Sequence, residues 1–194
     1  MIEEKNYFAC LLMNRIMMVP LLTVFMFILF FGMQSVLAAQ ICNSLISTSS
    51  PIFIDHADGT VTDTMSGLRW KRCAEGQTWS TGSCTGAATT YSWQGALNQA
   101  KSLNVGGGFA ARTNWRVPNI KELSSLIEVQ CYNPAINTTI FPSLPVTAST
   151  QFWSASPVVT NSATAWSLNY YTGSNNNSSS VALNFYLLLV SGGL

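Results

Sequence analysis

Four cysteines downstream of an apolar leader constrain this chain more than any other feature. Residues 20–38, PLLTVFMFILFFGMQSVLA, form an apolar run closing on small residues, with Val36 and Ala38 at the −3 and −1 positions of a signal-peptidase site. Residues 1–38 therefore read as a signal peptide. The stretch ahead of the run carries Glu3 and Glu4, which suit a positive leading segment poorly. A start at Met13 leaves Arg15 and the terminal amine as its only charges, in a leader of ordinary length. The run is also long enough to span a bilayer, so an uncleaved leader is the one membrane attachment expected. Cys10 lies in the leader, which leaves Cys42, Cys73, Cys84 and Cys131 for an oxidising compartment. Four cysteines allow three pairings. Short separation favours Cys73 with Cys84 and leaves Cys42 to reach Cys131, tying the mature N-terminus to the body. No Cys-x-x-Cys pair is present and the only histidine, His56, is remote from the cysteines in sequence, so a zinc site is not expected.

Residues 39–51 are Ser/Thr-rich, end at Pro51 and read as a linker, with the domain proper over 52–194. Beyond Ala38, seven Lys and Arg face six Asp and Glu, a balance of +1. So few charges, with neither sign in excess, exclude electrostatic capture of nucleic acid, whose affinity comes from phosphate neutralisation.

Within the domain, PIFIDH, TVTDT and LRWKR are short β-type runs cut by Asp58-Gly59 and Ser66-Gly67, dipeptides favoured where the backbone turns with positive φ. The pattern predicts a meander. Alternation places Trp70 inward, with Arg69 and Lys71 together on the outer face. Residues 74–90 are turn-rich, centred on Trp79, and form a loop held by the proposed short disulfide. Trp93, Ala96, Leu97, Ala100 and Leu103 then recur at helical spacing until Gly106, Gly107 and Gly108 end the helix. A second helix follows Pro118, with Asn119 as N-cap, Glu122 completing a capping box, and Ile120, Leu123, Leu126 and Ile127 as its apolar stripe. Three prolines break residues 132–150 into a long surface loop. The last third reads as strands joined by polar turns, SNNNSSS (174–180) among them, so the sheet is built from both ends of the chain.

Enzyme chemistry finds little here. His56 is the one histidine able to serve as a base and it sits at a turn edge. No nucleotide-binding loop of the Gly-rich Lys-Ser/Thr form is present. Asp55, Asp58 and Asp63 offer oxygens suited to calcium, but their spacing is not that of an EF-hand loop. No metal or other cofactor is expected. The positive signal is compositional. Few charges, abundant Asn, Ser and Thr, and six tryptophans suit recognition of neutral sugars, because rings stack on apolar sugar faces while amides bond hydroxyls. Trp70, Trp115, Trp153 and Trp166 are expected in the core. Trp79, Tyr170 and Tyr171 are the surface candidates for ligand contact, with Arg69 and Lys71 as candidates for an anionic ligand.

The order of motifs FIDHADGTVTDTMSGLRW, CAEGQTW, WQGAL, NWRVPNIKEL, YNPAI and FWSAS resembles the Lcl C-terminal domain family, named for the end of a collagen-like adhesin. The resemblance implies an α+β fold of C-type lectin-like type, two helices packed on small antiparallel sheets and stabilised by disulfides. It further implies a secreted or envelope module that binds a glycan or cell-surface polymer in adhesion, with binding of sulfated glycosaminoglycans attributed to the namesake. The segment YLLLVSGGL lacks the two basic residues usual at the family's end, which removes charge that sulfated ligands use. The alternative expectation is a structural envelope or pilus-associated module that meets a protein partner through residues 132–150 and the 174–180 turn.

Overall fold

The structure, a computed structural model, describes residues 40–43 and 52–193. The proposed signal peptide, and most of the proposed linker, lie outside the described residues.

The meander forms as its punctuation requires. Strands β2 (Phe53–Asp55), β3 (Thr60–Asp63) and β4 (Arg69–Lys71) pair antiparallel in sequence order. Gly59 and Gly67 turn the chain between them at φ +84° and +69°. Two short strands from later in the chain, β8 (Trp115–Arg116) and β14 (Val190–Ser191), complete one sheet in the order β2-β3-β4-β14-β8. The last strand of the domain, β14, is therefore paired between β4 of the meander and β8.

The second sheet is carried by a hairpin of β10 (Phe152–Val158) and β11 (Asn161–Asn169), in the order β12-β11-β10-β13-β7. Here β7 is Thr90–Tyr91, β12 is Ser174–Ser180 and β13 is Phe185–Tyr186. SNNNSSS, expected as a turn, is thus an edge strand. The reversal falls earlier, at Tyr170–Gly173, where Gly173 takes φ +74° and Asn169 Oδ1 accepts from the N–H groups of Tyr171 and Thr172. β13 runs parallel to β10, the one departure from antiparallel pairing in this sheet, because the chain crosses β11 and β12 before returning.

Helix α1 (Trp93–Val105) is capped by Ser92, whose Oγ accepts from Gly95 N–H at 3.2 Å. Helix α2 (Ile120–Ser125) begins with the expected capping box, in which Asn119 Oδ1 accepts from Glu122 N–H at 2.9 Å and Glu122 Oε2 from Asn119 N–H at 2.8 Å.

Two cores result. One gathers Val61, Trp70, Leu123, Phe141, Phe152 and Tyr170, among others; the second gathers Ala96, Ala100, Trp115, Val117, Trp153 and Ala165. The run LLLV at 187–190 passes between them. Leu187 and Leu189 enter the second core, and Leu188 and Val190 the first. An extended segment sends alternate side chains to opposite faces, and here both faces are apolar, so the segment reads as an unbroken hydrophobic run. The 132–150 segment does not simply cross the surface as expected. It drops Ala135, Ile136, Phe141 and Leu144 into the interior, because burying large apolar groups gains more than leaving them in water.

Both expected disulfides are made, Cys42 with Cys131 and Cys73 with Cys84. Around the first, Ile41–Cys42 (β1) pairs with Cys131–Tyr132 (β9), so this part of the proposed linker is already strand. Among the described residues, no helix is long and apolar enough to cross a membrane.

Candidate functional site

The second disulfide builds a surface feature. Between Cys73 and Cys84 the chain makes a small hairpin of β5 (Thr78–Ser80) and β6 (Ser83–Thr85), turning at Thr81 and Gly82, both with positive φ. A two-stranded hairpin is marginal alone. The bridge fixes it to the end of β4, and Gln77 Nε2 adds a hydrogen bond to the Ser143 carbonyl at 3.0 Å. The hairpin thereby stands beside the Asp58-Gly59 turn and encloses a cleft of about 290 Å³, lined by Asp58, Gly59, Lys71, Cys73, Gln77, Thr78, Trp79 and Phe109.

Two aromatic side chains, Trp79 and Phe109, line this cleft on either side of Gly59. A Cβ on Gly59 would stand 2.8 Å from Trp79 Cβ and 3.2 Å from Phe109 Cζ, so glycine is required there both for its positive φ and for space. Phe109 is delivered by a tight turn. Phe109 and Arg112 exchange backbone hydrogen bonds across Ala110 and Ala111, which hold φ of +50° and +56°. Non-glycine residues in this region carry strain that surrounding structure must hold. Trp115 Nε1 helps by donating to the Phe109 carbonyl at 2.9 Å. Gly108 is forced as well, since its Cβ would stand 1.8 Å from the Arg112 carbonyl oxygen.

The charges around the cleft are paired. Lys71 binds Glu75 and sits with its Nζ 4.6 Å from the Phe109 ring centre. Arg69 binds Asp58 at 2.5 Å. Arg72 binds Asp55 at 2.7 Å and lies over the Trp79 ring at 4.2 Å. Burial, and then the charge of Glu75, raise the Tyr91 phenol above its ordinary value.

Of the residues expected at a site, the structure brings Lys71, Trp79 and Asp58 to one cleft, with Arg69 reaching it through Asp58. Lys71 departs from expectation in one respect. It is buried rather than displayed on an outer face, because Glu75 and the Phe109 ring draw its ammonium inward. Tyr170 is corrected outright as a surface contact. It is 0 % exposed, packs edge-on against Phe152, and donates its hydroxyl to the Leu123 carbonyl. Burial pushes its phenol well above the ordinary value. Tyr171 is half-buried in the same turn, its carbonyl accepting from Asn133 N–H, and does not line the cleft.

Trp70, Trp115 and Trp153 are core as expected, whereas Trp166 is only half-buried, at an irregularity in the β11–β12 pairing. Asp55, Asp58 and Asp63 do not converge as a calcium site. Each carboxylate accepts from a backbone N–H two residues on in its own turn, and their second oxygens go to Arg72, Arg69 and Ser66 respectively. No group of three or more metal-ligating side chains occurs among the described residues.

Sequence reasoning missed Phe109, which a single aromatic following three glycines signals, and Gly59, which it read only as turn punctuation.

The fold and cleft define a disulfide-stabilised α+β domain with an aromatic-walled surface site. The Lcl C-terminal domain model matches residues 59–191, more than half of the sequence, and the chain belongs to that family. No curated protein matches it.

Proposed function

We propose that this is an exported, non-catalytic binding module of C-type lectin-like type that recognises carbohydrate or another surface polymer in adhesion, through the cleft between Trp79 and Phe109. The observation that carries this reading is the convergence of the two rings on Gly59 beside Gln77 and Thr78. Rings stack on apolar sugar faces while amide and hydroxyl side chains bond sugar hydroxyls. Export is supported by the apolar leader and by two disulfides, which form and persist in oxidising compartments. Two helices set against sheets that join both ends of the domain support the lectin-like comparison. A non-catalytic role is supported by acids bound to cations rather than free for proton transfer, and by His56 Nε2, which is engaged with Thr62 Oγ1 at 2.8 Å on an exposed turn. A glycan array probed with the purified protein tests the reading, and silence across the array contradicts it.

One observation favours the alternative, a structural envelope or pilus-associated module. β12 is an uncharged, seven-residue sheet edge, a natural place for a protein strand to add. That reading predicts a protein partner retained by Trp79→Ala and lost, by pull-down with the purified partner, when Asn175 and Asn177 are both replaced by Lys.

A further inference from the structure

We infer that the cleft selects an uncharged ligand and rejects sulfated or otherwise anionic polymers, an inference that rests on the carbohydrate-binding reading above. Around the cleft Lys71, Arg69 and Arg72 are each paired with an anion. Lys71 binds buried Glu75, whose other oxygen accepts from Gln99 Nε2 at 3.1 Å. Arg69 donates from Nε to Thr60 Oγ1 at 2.7 Å and from Nη2 to Asp58 at 2.5 Å. Arg72 uses all three of its nitrogens, giving to the carbonyls of Ile140 and Thr139 and to Asp55 while its guanidinium covers Trp79. Arg112, in the Phe109 turn, turns toward Ser191 Oγ at 3.3 Å.

A sulfate drawn to Lys71, Arg69 or Arg72 must compete with Glu75, Asp58 or Asp55 and leave that carboxylate without its cation. The loss is greatest at buried Glu75, where a charge stripped of its partner is strongly destabilising. The remaining lining groups are neutral: Trp79 and Phe109, each with one ring face under a cation, and the polar side chains of Gln77 and Thr78. Pairing therefore neutralises all three cations of a basic-looking sequence, LRWKR.

The test is binding of the purified full chain to neutral probes (mannan, cello-oligosaccharides and chito-oligosaccharides) and to sulfated ones (heparin and chondroitin sulfate). The expected result is binding among the neutral probes that changes less than about twofold between roughly 0.05 and 0.5 M salt, because no charges are neutralised in the complex. Asp58→Asn keeps the Oδ1 that accepts from Thr60 and removes the carboxylate held by Arg69. This variant is expected to gain heparin affinity by about fivefold, the scale of one freed surface ion pair. Salt-sensitive heparin binding by the wild type overturns the inference and leaves the carbohydrate reading standing, whereas silence toward every probe overturns both. A variant that melts like the wild type and still ignores heparin overturns pairing as the cause of selectivity.

Discussion

At the residue scale, one position holds a helix, a strand end and the C-terminus together. Glu122 closes the capping box of α2 and receives two hydrogen bonds from Arg116, each 2.7 Å, while Arg116 also donates to the Gly192 carbonyl. Burial raises the Glu122 carboxyl, but the hydrogen bonds from Arg116 and Asn119 and the Arg116 charge outweigh it and hold the group below its ordinary value. The Arg116 guanidinium is raised in turn, chiefly by its hydrogen bond to Glu122. A carboxylate lowered in the folded state adds stability that is fully present above its unfolded pKa and is lost as pH falls through the folded one. Glu122→Gln, which can still accept from Asn119 N–H but loses the charge paired with Arg116, is therefore expected to lower stability by about 1 kcal/mol at neutral pH, the upper scale of a surface ion pair with good bidentate geometry. The deficit in Tm against the wild type is expected to shrink as pH falls through the carboxylate range, followed by thermal melts at stepped pH. The Asn119 and Glu122 roles were legible in sequence because a capping box is local. Gly59 was legible only as a turn, because its second role depends on Trp79 and Phe109, which arrive from distant parts of the chain.

At the element scale, what the sequence displayed was periodicity and punctuation. The meander, both helices and the end of α1 at three glycines follow from spacing within one segment. SNNNSSS was misread because polar, flexible composition favours turns in general, and only pairing with β11 makes it a strand. The hairpin carrying Trp79 was read as loop for the same reason. Its placement depends on the Cys73–Cys84 bridge, which spans 11 residues of sequence. Replacing both cysteines by serine is expected to cost roughly 3 kcal/mol on chain-entropy grounds. It should release Trp79 from the cleft while Cys42–Cys131 and the two cores keep the fold. Far-ultraviolet dichroism close to the wild type together with lost glycan binding is the expected pair of results. Full binding by the double serine variant would show that the hairpin needs no covalent anchor.

At the scale of the whole molecule, the domain closes by bringing its last strand into its first sheet, between β4 and β8, so residues far apart in sequence surround every functional group. This explains which site residues sequence reasoning found. Trp79, Lys71 and Asp58 lie close to one another along the chain and were each singled out for a different reason, as a surface aromatic, an anion contact and a calcium ligand, whereas Phe109 comes from beyond α1 and was not singled out. Tyr170 was expected at the surface, yet the 132–150 segment folds over that region: Ala135 N–H binds the Tyr170 carbonyl at 2.7 Å. On the proposed function, Trp79 and Phe109 together line a sugar-binding cleft. The most direct test of this reading is isothermal titration of the purified protein with a glycan that scores on the array, comparing wild type, Trp79→Ala and Phe109→Ala. Each substitution is expected to weaken binding by roughly two- to tenfold, the scale of one lost aromatic contact, while the disulfides and the far-ultraviolet spectrum are unchanged. Wild-type affinity in both variants would contradict it and place the ligand elsewhere on the molecule.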